Sequence, residues 1–174
     1  VIEPNEYKDE RGCFVENYNQ KKYEKFIGKI SFVQDNESTS QKGTLRGLHF
    51  QNPPFAQAKL VRCAEGKVLD IALDIRKGSP TYGLHFAIVL SKENKKQIFI
   101  PKGFAHGFLV LSDKAVFAYK VDNHYSPNND AGVRWDDKDL NIKWGIDKCE
   151  ILISKKDQKL PFFSDIETPF KFLQ

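Results

Sequence analysis

The stretch of this sequence with the most chemical potential is GTLRGLHFQ, residues 43–51, which sets an imidazole and a guanidinium among apolar side chains. In a half-buried strand apolar and polar residues alternate, so Leu45 and Leu48 would pack, while Arg46 and His49 are left needing partners. An anionic or proton-exchanging partner is one interpretation of this pattern. The competing one is a hydrogen-bonded core histidine beside a solvated arginine.

Three later stretches also place a titratable group inside an apolar, strand-like run. They are residues 57–61, 101–108 and 117–120. In a small barrel the inward side chains of successive strands converge on one cavity. The sequence therefore predicts one cavity that is faced by His49, Lys59, His106 and Tyr119.

Arg46 and His49 differ in strand parity, because three residues separate them. In a regular strand they would point to opposite faces of the sheet. Both can serve one cavity only if Gly47 marks a bulge or a bend, and a glycine within a strand is typical of such an irregularity.

A metal site is one interpretation of two inward histidines, since Pro101-x-Gly103-x-x-His106 matches the second half of a cupin metal signature. The first half would need a His-x-His pair and a following carboxylate. His49 is instead followed by phenylalanine and glutamine, which leaves too few ligands. We therefore predict no metal, and a metal-dependent cupin oxygenase is the alternative.

Without a metal, a histidine, a phenol and a lysine in a dry pocket suit removal of a proton next to a carbonyl group. Histidine can act as the base, tyrosine can return a proton from another direction, and a cation can hold the enolate oxygen. A base and an acid on opposite faces of one carbon would invert it without a cofactor. Buried tyrosines and lysine stems are also ordinary packing.

In most of the remaining chain, apolar and polar residues alternate over short stretches, as is typical of strands. Turn-forming residues separate these stretches roughly every 8 to 12 residues. This spacing of turns predicts an all-β jelly-roll sandwich or barrel in a single domain, residues 1–174. One short surface helix is predicted near residues 19–26, and residues 152–163 are expected to fold back onto the barrel. The predicted strands are residues 13–16, 30–36, 59–64, 67–75, 82–90, 97–100, 106–111 and 115–121.

Composition narrows the functional classes. The 174 residues carry a net charge of +4 without a dense Lys/Arg block, which fits a small anionic ligand and argues against nucleic acid. No apolar run approaches the ~20 residues of a membrane helix. The three cysteines, Cys13, Cys63 and Cys149, are widely spaced and form no CxxC motif, so we expect reduced thiols in a cytoplasmic protein.

Several segments together closely resemble the dTDP-4-dehydrorhamnose 3,5-epimerase family. They are residues 32–36, 43–51, 56–63, 74–76, 101–108 and 119–120. The resemblance extends from residue 1 to about residue 157. It implies a metal-free, cofactor-free, cupin-type jelly-roll barrel. It also implies inversion of C3 and C5 of dTDP-4-dehydro-6-deoxy-D-glucose to give dTDP-4-dehydro-L-rhamnose.

The resemblance also implies individual roles. His49 would be the base, oriented by Asp157, and Tyr119 the acid. Lys59 and Arg46 would lie near the ketone oxygen and the phosphates. Further substrate contacts would come from Gln34, Asn36, His106, Tyr125, Asp130 and Lys156, with Tyr125 stacking on thymine.

Arg11 and Glu16 match an N-terminal strand that, in this family, crosses to the other subunit of a homodimer and completes its pocket. Two positions depart from the family pattern: His124 replaces a frequent aromatic residue, and Asp130 replaces the usual glutamate. The alternatives are a single-centre epimerase or ketoisomerase on a related nucleotide 4-ketosugar, and a jelly-roll sugar-nucleotide binding protein without turnover.

Overall fold

Two β-sheets form the main body of the protein in a computed structural model that describes residues 1–172. The strands are β1 (Glu6–Asp9), β2 (Gly12–Val15), β3 (Gln34–Gln41), β4 (Thr44–Gln51), β5 (Lys59–Glu65), β6 (Lys67–Asp74), β7 (His85–Ser91), β8 (Gln97–Ile100), β9 (Phe104–Val110), β10 (Lys114–Val121), β11 (Asp130–Gly132) and β12 (Leu152–Ile153). The helix is α1 (Gln20–Ile27), and short 3-10 turns lie at Pro127–Asn129, Lys148–Glu150, Asp157–Lys159 and Phe163–Asp165.

The smaller sheet has the strand order β3-β10-β5-β8, and the larger sheet the order β11-β4-β9-β6-β7. All these neighbours pair antiparallel, whereas β12 joins β4 in parallel. Strands β1 and β2 form a separate hairpin. The prediction of an all-β jelly roll with few helices is therefore confirmed.

Strands β6 and β9 of the larger sheet are buried on both faces. Along β6, Val68 and Ala72 pack toward the smaller sheet, whereas Ile71 and Leu73 pack against the segment that follows β11. That segment contributes Trp135 to the core cluster that contains Ile71 and Leu73. These two strands consequently consist mostly of apolar residues, and a polar residue within either of them needs a specific partner.

Helix α1 lies close to its predicted position. Asn19 caps it, because the Asn19 side chain accepts a hydrogen bond from the backbone N–H of Lys22 at 3.3 Å. The predicted strand over residues 30–36 is misplaced: β3 begins at Gln34 and continues to Gln41. Its second half, ESTSQ, is polar and shows no hydrophobic alternation, so the sequence pattern gives no strand signal there.

Strand β4 bends at Gly47. Its pairing with β9 shifts register between Arg46 and His49, and Gly47 has a φ of +117°. A Cβ atom at this position would lie 2.6 Å from the carbonyl oxygen of His106 and 2.7 Å from the Cα of Gly107. The predicted irregularity is confirmed, and only glycine fits both the backbone conformation and the close approach of β9.

Replacing Gly47 with alanine should lower the free energy of unfolding by ~3 kcal/mol, because the methyl group meets backbone atoms that cannot rotate away. Gly78→Ala is the matched control. Gly78 also has a positive φ, +83°, but open space surrounds its Cβ position. The control should lose only ~1 kcal/mol. Urea denaturation followed by circular dichroism measures both, and equal losses would contradict the close-packing argument.

Candidate active site

A cavity of about 540 Å³ lies between the two sheets. Both sheets contribute to it: Lys59 comes from β5 and Tyr119 from β10 on one side, and His49 from β4 and His106 from β9 on the other. The structure thus brings together the four side chains that the sequence predicted to face one cavity. The apolar part of the wall consists of Leu45, Phe108, Phe117, Leu152 and Ile153.

His49 and Asp157 form a hydrogen-bonded pair at this cavity. The Nε2 of His49 lies 2.8 Å from Oδ1 of Asp157, and the Gly47 backbone N–H donates to Oδ2 at 3.3 Å. The backbone N–H of Asp157 donates to the Ser154 hydroxyl at 3.0 Å, which fixes the turn that carries the carboxylate. The parallel strand β12 brings this turn alongside β4.

Burial of Asp157 opposes its ionisation, but the hydrogen bonds from His49 and from the Gly47 N–H outweigh burial and hold the pKa of Asp157 below its ordinary value. An ionised carboxylate accepts hydrogen bonds only, so Nε2 of His49 carries the hydrogen. The Nδ1 atom of His49 then has a free lone pair. Such a nitrogen can accept a proton from a bound molecule.

Lys59 is a half-buried ammonium on the cavity wall. Its Nζ donates to the carbonyl oxygen of His49 at 3.4 Å. Burial lowers the pKa of Lys59 to about 8, against the attraction of Asp70 and Asp130, which favours the charged form. Near neutral pH Lys59 therefore remains a cation, held in surroundings where its charge acts strongly on any neighbouring oxygen.

Tyr119 faces the same cavity from the smaller sheet. Burial raises the pKa of its phenol, and the nearby guanidinium of Arg46 works in the opposite direction. Within the part of the chain that the structure describes, the Tyr119 hydroxyl has no hydrogen-bond partner. Arg46 itself is oriented by Ser40, whose hydroxyl accepts from Nε and Nη2 at 3.2 Å each. Tyr119 thus presents a protonated, unengaged hydroxyl to the cavity.

His106 forms a second histidine–carboxylate pair, with its Nε2 2.8 Å from Oδ2 of Asp70. Both side chains are buried. Burial lowers the pKa of His106 despite the neighbouring carboxylate. Asp70 was not predicted as a site residue, although its position gives a signal: it is an acidic residue inside the apolar run of β6, KVLDIALD. A charge in such a run needs a buried partner.

Five predicted contacts meet near the cavity mouth: Gln34, Asn36, Tyr125, Asp130 and Lys156. The amide of Gln34 donates to Asn36 at 2.8 Å and accepts from the Tyr125 N–H at 3.3 Å. Asp130 accepts from the Tyr125 hydroxyl at 3.0 Å and forms an ion pair with Lys156. Only Lys156 lines the cavity itself. The ring of Tyr125 is 54% exposed, which leaves it open to a stacking partner.

Arg11 and Glu16 do not reach the cavity of their own chain. Arg11 pairs with Asp9 through Nε at 3.1 Å, and Glu16 pairs with Lys22 at 2.6 Å. Arg11 lies on the exposed hairpin β1–β2, and Glu16 directly follows it. The predicted contacts from these two residues are therefore absent within one chain, because both side chains pair with residues close to them in sequence.

Among residues 1–172, no cluster of three or more His, Cys, Asp or Glu side chains is arranged to hold a metal ion. The three cysteines are free thiols. A search of the same residues for a helix long and apolar enough to cross a membrane finds none.

The two sheets and the cavity between them define a cupin-type jelly roll with a histidine–aspartate pair in its interior. The chain belongs to the dTDP-4-dehydrorhamnose 3,5-epimerase family, whose model matches residues 1–165. A dTDP-4-dehydrorhamnose 3,5-epimerase of Shigella flexneri is 54% identical over 158 residues, which cover 90% of this chain and 86% of the relative.

Solved structures agree with this assignment. A dTDP-4-dehydrorhamnose 3,5-epimerase from Elizabethkingia anophelis NUHP1 superimposes with a TM-score of 0.90 at 51% identity, covering 94% of this chain and 90% of that one. A dTDP-6-deoxy-D-glucose-3,5-epimerase from Legionella pneumophila, in complex with dTDP-4-keto-L-rhamnose, gives a TM-score of 0.91 at 47% identity. The superposition covers 95% of this chain and 87% of the Legionella chain.

The burial of Lys59 makes its titration measurable. In protein labelled with 13C at the lysine ε-carbon, the Lys59 signal should titrate with a midpoint of about 8, well below the ~10.4 of a free lysine side chain. Lys59→Met identifies the signal by its absence. A Lys59 signal with the midpoint of a free lysine side chain would contradict the environment described above.

Proposed function

We propose that this chain inverts C3 and C5 of dTDP-4-dehydro-6-deoxy-D-glucose and so produces dTDP-4-dehydro-L-rhamnose. The observation that carries the proposal is the shared cavity of His49, held by Asp157, and the free Tyr119 hydroxyl. The relatives named 3,5-epimerases support the same reaction, as does the Legionella structure, which is a complex with dTDP-4-keto-L-rhamnose, the product of this reaction. A nucleotide-sugar substrate fits a cytoplasmic enzyme.

The proton removal begins at a carbon next to the C4 ketone, since the ketone makes the hydrogens at C3 and C5 acidic. The free Nδ1 of His49 takes the proton, and the electron pair of the broken C–H bond moves to the C4 oxygen as an enolate. The ionised Asp157 stabilises the resulting imidazolium. The Lys59 ammonium stabilises the enolate oxygen, because both charges lie in a buried, weakly screened environment.

Inversion requires that the proton returns from the opposite face of the same carbon. Tyr119 lies on the smaller sheet and His49 on the larger one, so a sugar ring between them would have one group on each side. The Tyr119 hydroxyl donates its proton to the carbon as the enolate collapses to the ketone. His49 then loses its proton and Tyr119 regains one from solvent, which completes the cycle without a net change in protons.

The nucleotide would occupy the mouth of the cavity. Tyr125 has an exposed ring suited to stacking on thymine, and Gln34 and Asn36 offer amides to a base edge. Arg46 and Lys156 are cations on the cavity wall that suit a diphosphate, and His106 would contact a sugar hydroxyl. Asp130 would contribute indirectly, by positioning Lys156 and Tyr125, both of which it binds.

Incubation with dTDP-4-dehydro-6-deoxy-D-glucose in deuterium oxide tests the reaction by proton NMR. Label should enter at both C3 and C5. His49→Asn should slow this exchange by about 10²- to 10⁴-fold, because no base remains. Tyr119→Phe should retain some exchange but should slow formation of the inverted product by at least ~10²-fold, because a proton can return only to the face it left.

His85→Asn and Tyr82→Phe are the matched controls, since neither residue lines the cavity, and both should react like the unmodified protein. Label at only one carbon would indicate the single-centre epimerase instead. Binding of the sugar nucleotide without any exchange would indicate a binding protein and would refute the proposed reaction.

We also propose that the chain acts as a homodimer in which the hairpin β1–β2 completes the partner's cavity. A two-stranded hairpin is marginally stable alone. Here Tyr7 and Phe14 are 55% and 67% exposed on it. Those rings would be covered by a second subunit, and Arg11 and Glu16 would then reach a site that they cannot reach within their own chain.

Subunit mixing tests this arrangement. Arg11→Ala and His49→Asn homodimers should each have low activity, but a 1:1 mixture that exchanges subunits should recover about a quarter of the unmodified activity. The reason is that half of the dimers are mixed and one of their two sites keeps both groups. A mixture of His49→Asn with Tyr119→Phe should recover none, because these two residues belong to one barrel. Failure of the first mixture, with proven subunit exchange, would contradict the swapped hairpin.

A further inference from the structure

Asp70 is a buried charge that the reaction described above leaves without a role. It lies in the middle of β6, its side chain is fully buried, and Oδ2 is bound to Nε2 of His106 at 2.8 Å. The second oxygen, Oδ1, is also buried and has no hydrogen-bond partner among residues 1–172. An unsatisfied buried carboxylate oxygen is unfavourable and rare, so its retention calls for a physical reason.

The titratable groups around Asp70 come from the facing strands. His106 faces it from β9, while Lys59 and the Cys63 thiol lie within electrostatic reach on β5. On β7 the residue paired with Asp70 is the uncharged Ile88. Lys59 is therefore the nearby cation, and the attraction of Asp70 is the largest influence that favours its ammonium form, ahead of Asp130.

The hydrogen bond to Asp70 also decides the state of the His106 ring. Burial favours a neutral imidazole, and a neutral imidazole bound to a carboxylate through Nε2 has its hydrogen on that nitrogen. Nδ1 then carries the lone pair. His106 lines the cavity, and Nδ1 makes no hydrogen bond to any residue between 1 and 172.

We propose that Asp70 is a positioning residue of the cavity, which holds His106 with Nδ1 as an acceptor for a substrate hydroxyl and supplies the counter-charge that keeps Lys59 an ammonium. This inference rests on the proposed function of the same site. This role accounts for the Oδ1 atom, which has no hydrogen-bond partner among the described residues, because that oxygen acts on Lys59 through its charge and not through a hydrogen bond. An apolar residue would pack in β6 equally well but would serve neither neighbour.

Asp70→Asn in the 174-residue chain tests the inference, because asparagine keeps the shape and removes the charge. The Lys59 midpoint, read by 13C NMR of labelled lysine, should fall by about one pH unit, a tenfold change in the acid constant. The pH at which kcat/KM declines on the alkaline side should fall by the same amount. The 15N shifts of His106 should lose the single Nε2–H tautomer. Asp136→Asn, whose carboxylate binds Arg134 outside the cavity, should change none of these.

A well-folded Asp70→Asn protein with unchanged Lys59 midpoint and His106 shifts would overturn the inference. If that variant does not fold, Asp70→Leu replaces it, because leucine also removes the charge and suits the apolar run of β6: the Lys59 midpoint should again fall, and an unchanged or higher midpoint would overturn the inference. The NMR readouts need no substrate. Absence of deuterium exchange in the unmodified protein would therefore refute the proposed function and leave the Asp70 result standing on its own.

Discussion

The close approach of β4 and β9 at Gly47 is the constraint on which the site depends. At that point the backbones are separated by less than a side chain requires, and the register of the two strands shifts. Because of this shift, the side chains after Gly47 point to the face opposite to the one they would have in a regular strand. Arg46 and His49 therefore reach the same cavity. The Gly47 N–H also donates to Asp157. One irregularity therefore aims the imidazole and helps to hold its carboxylate partner.

The chain beyond the barrel completes the site. Strand β12 pairs with β4, and the turn after it inserts Asp157 beside His49. The core between the larger sheet and residues 133–170 is built on Leu45, Leu48 and the two tryptophans. Packing on one face of the sheet thus helps to hold the segment that carries Asp157 beside His49.

Much of this arrangement was predictable from residue types and spacing. Alternation and turn signals predicted the jelly roll, and titratable residues inside apolar runs identified His49, Lys59, His106 and Tyr119. The parity of Arg46 and His49 even indicated the bend. Other features depend on long-range contacts. The polar half of β3 is a strand because β10 pairs with it, and Asp157 meets His49 from 108 residues away. Only the resemblance to a known family pointed to that pair.

Asp130 illustrates how a departure from a family pattern acquires meaning from its contacts. Its aspartate side chain is one methylene shorter than the glutamate that the resemblance implies at this position, so it reaches less far toward a ligand. Here Asp130 binds the Lys156 ammonium and the Tyr125 hydroxyl, and these contacts raise the pKa of both groups. The carboxylate thereby aligns a cation that lines the cavity with a ring that stands open at its mouth. A shorter acid can thus serve the nucleotide end of the site indirectly, by fixing the two groups that would touch the ligand.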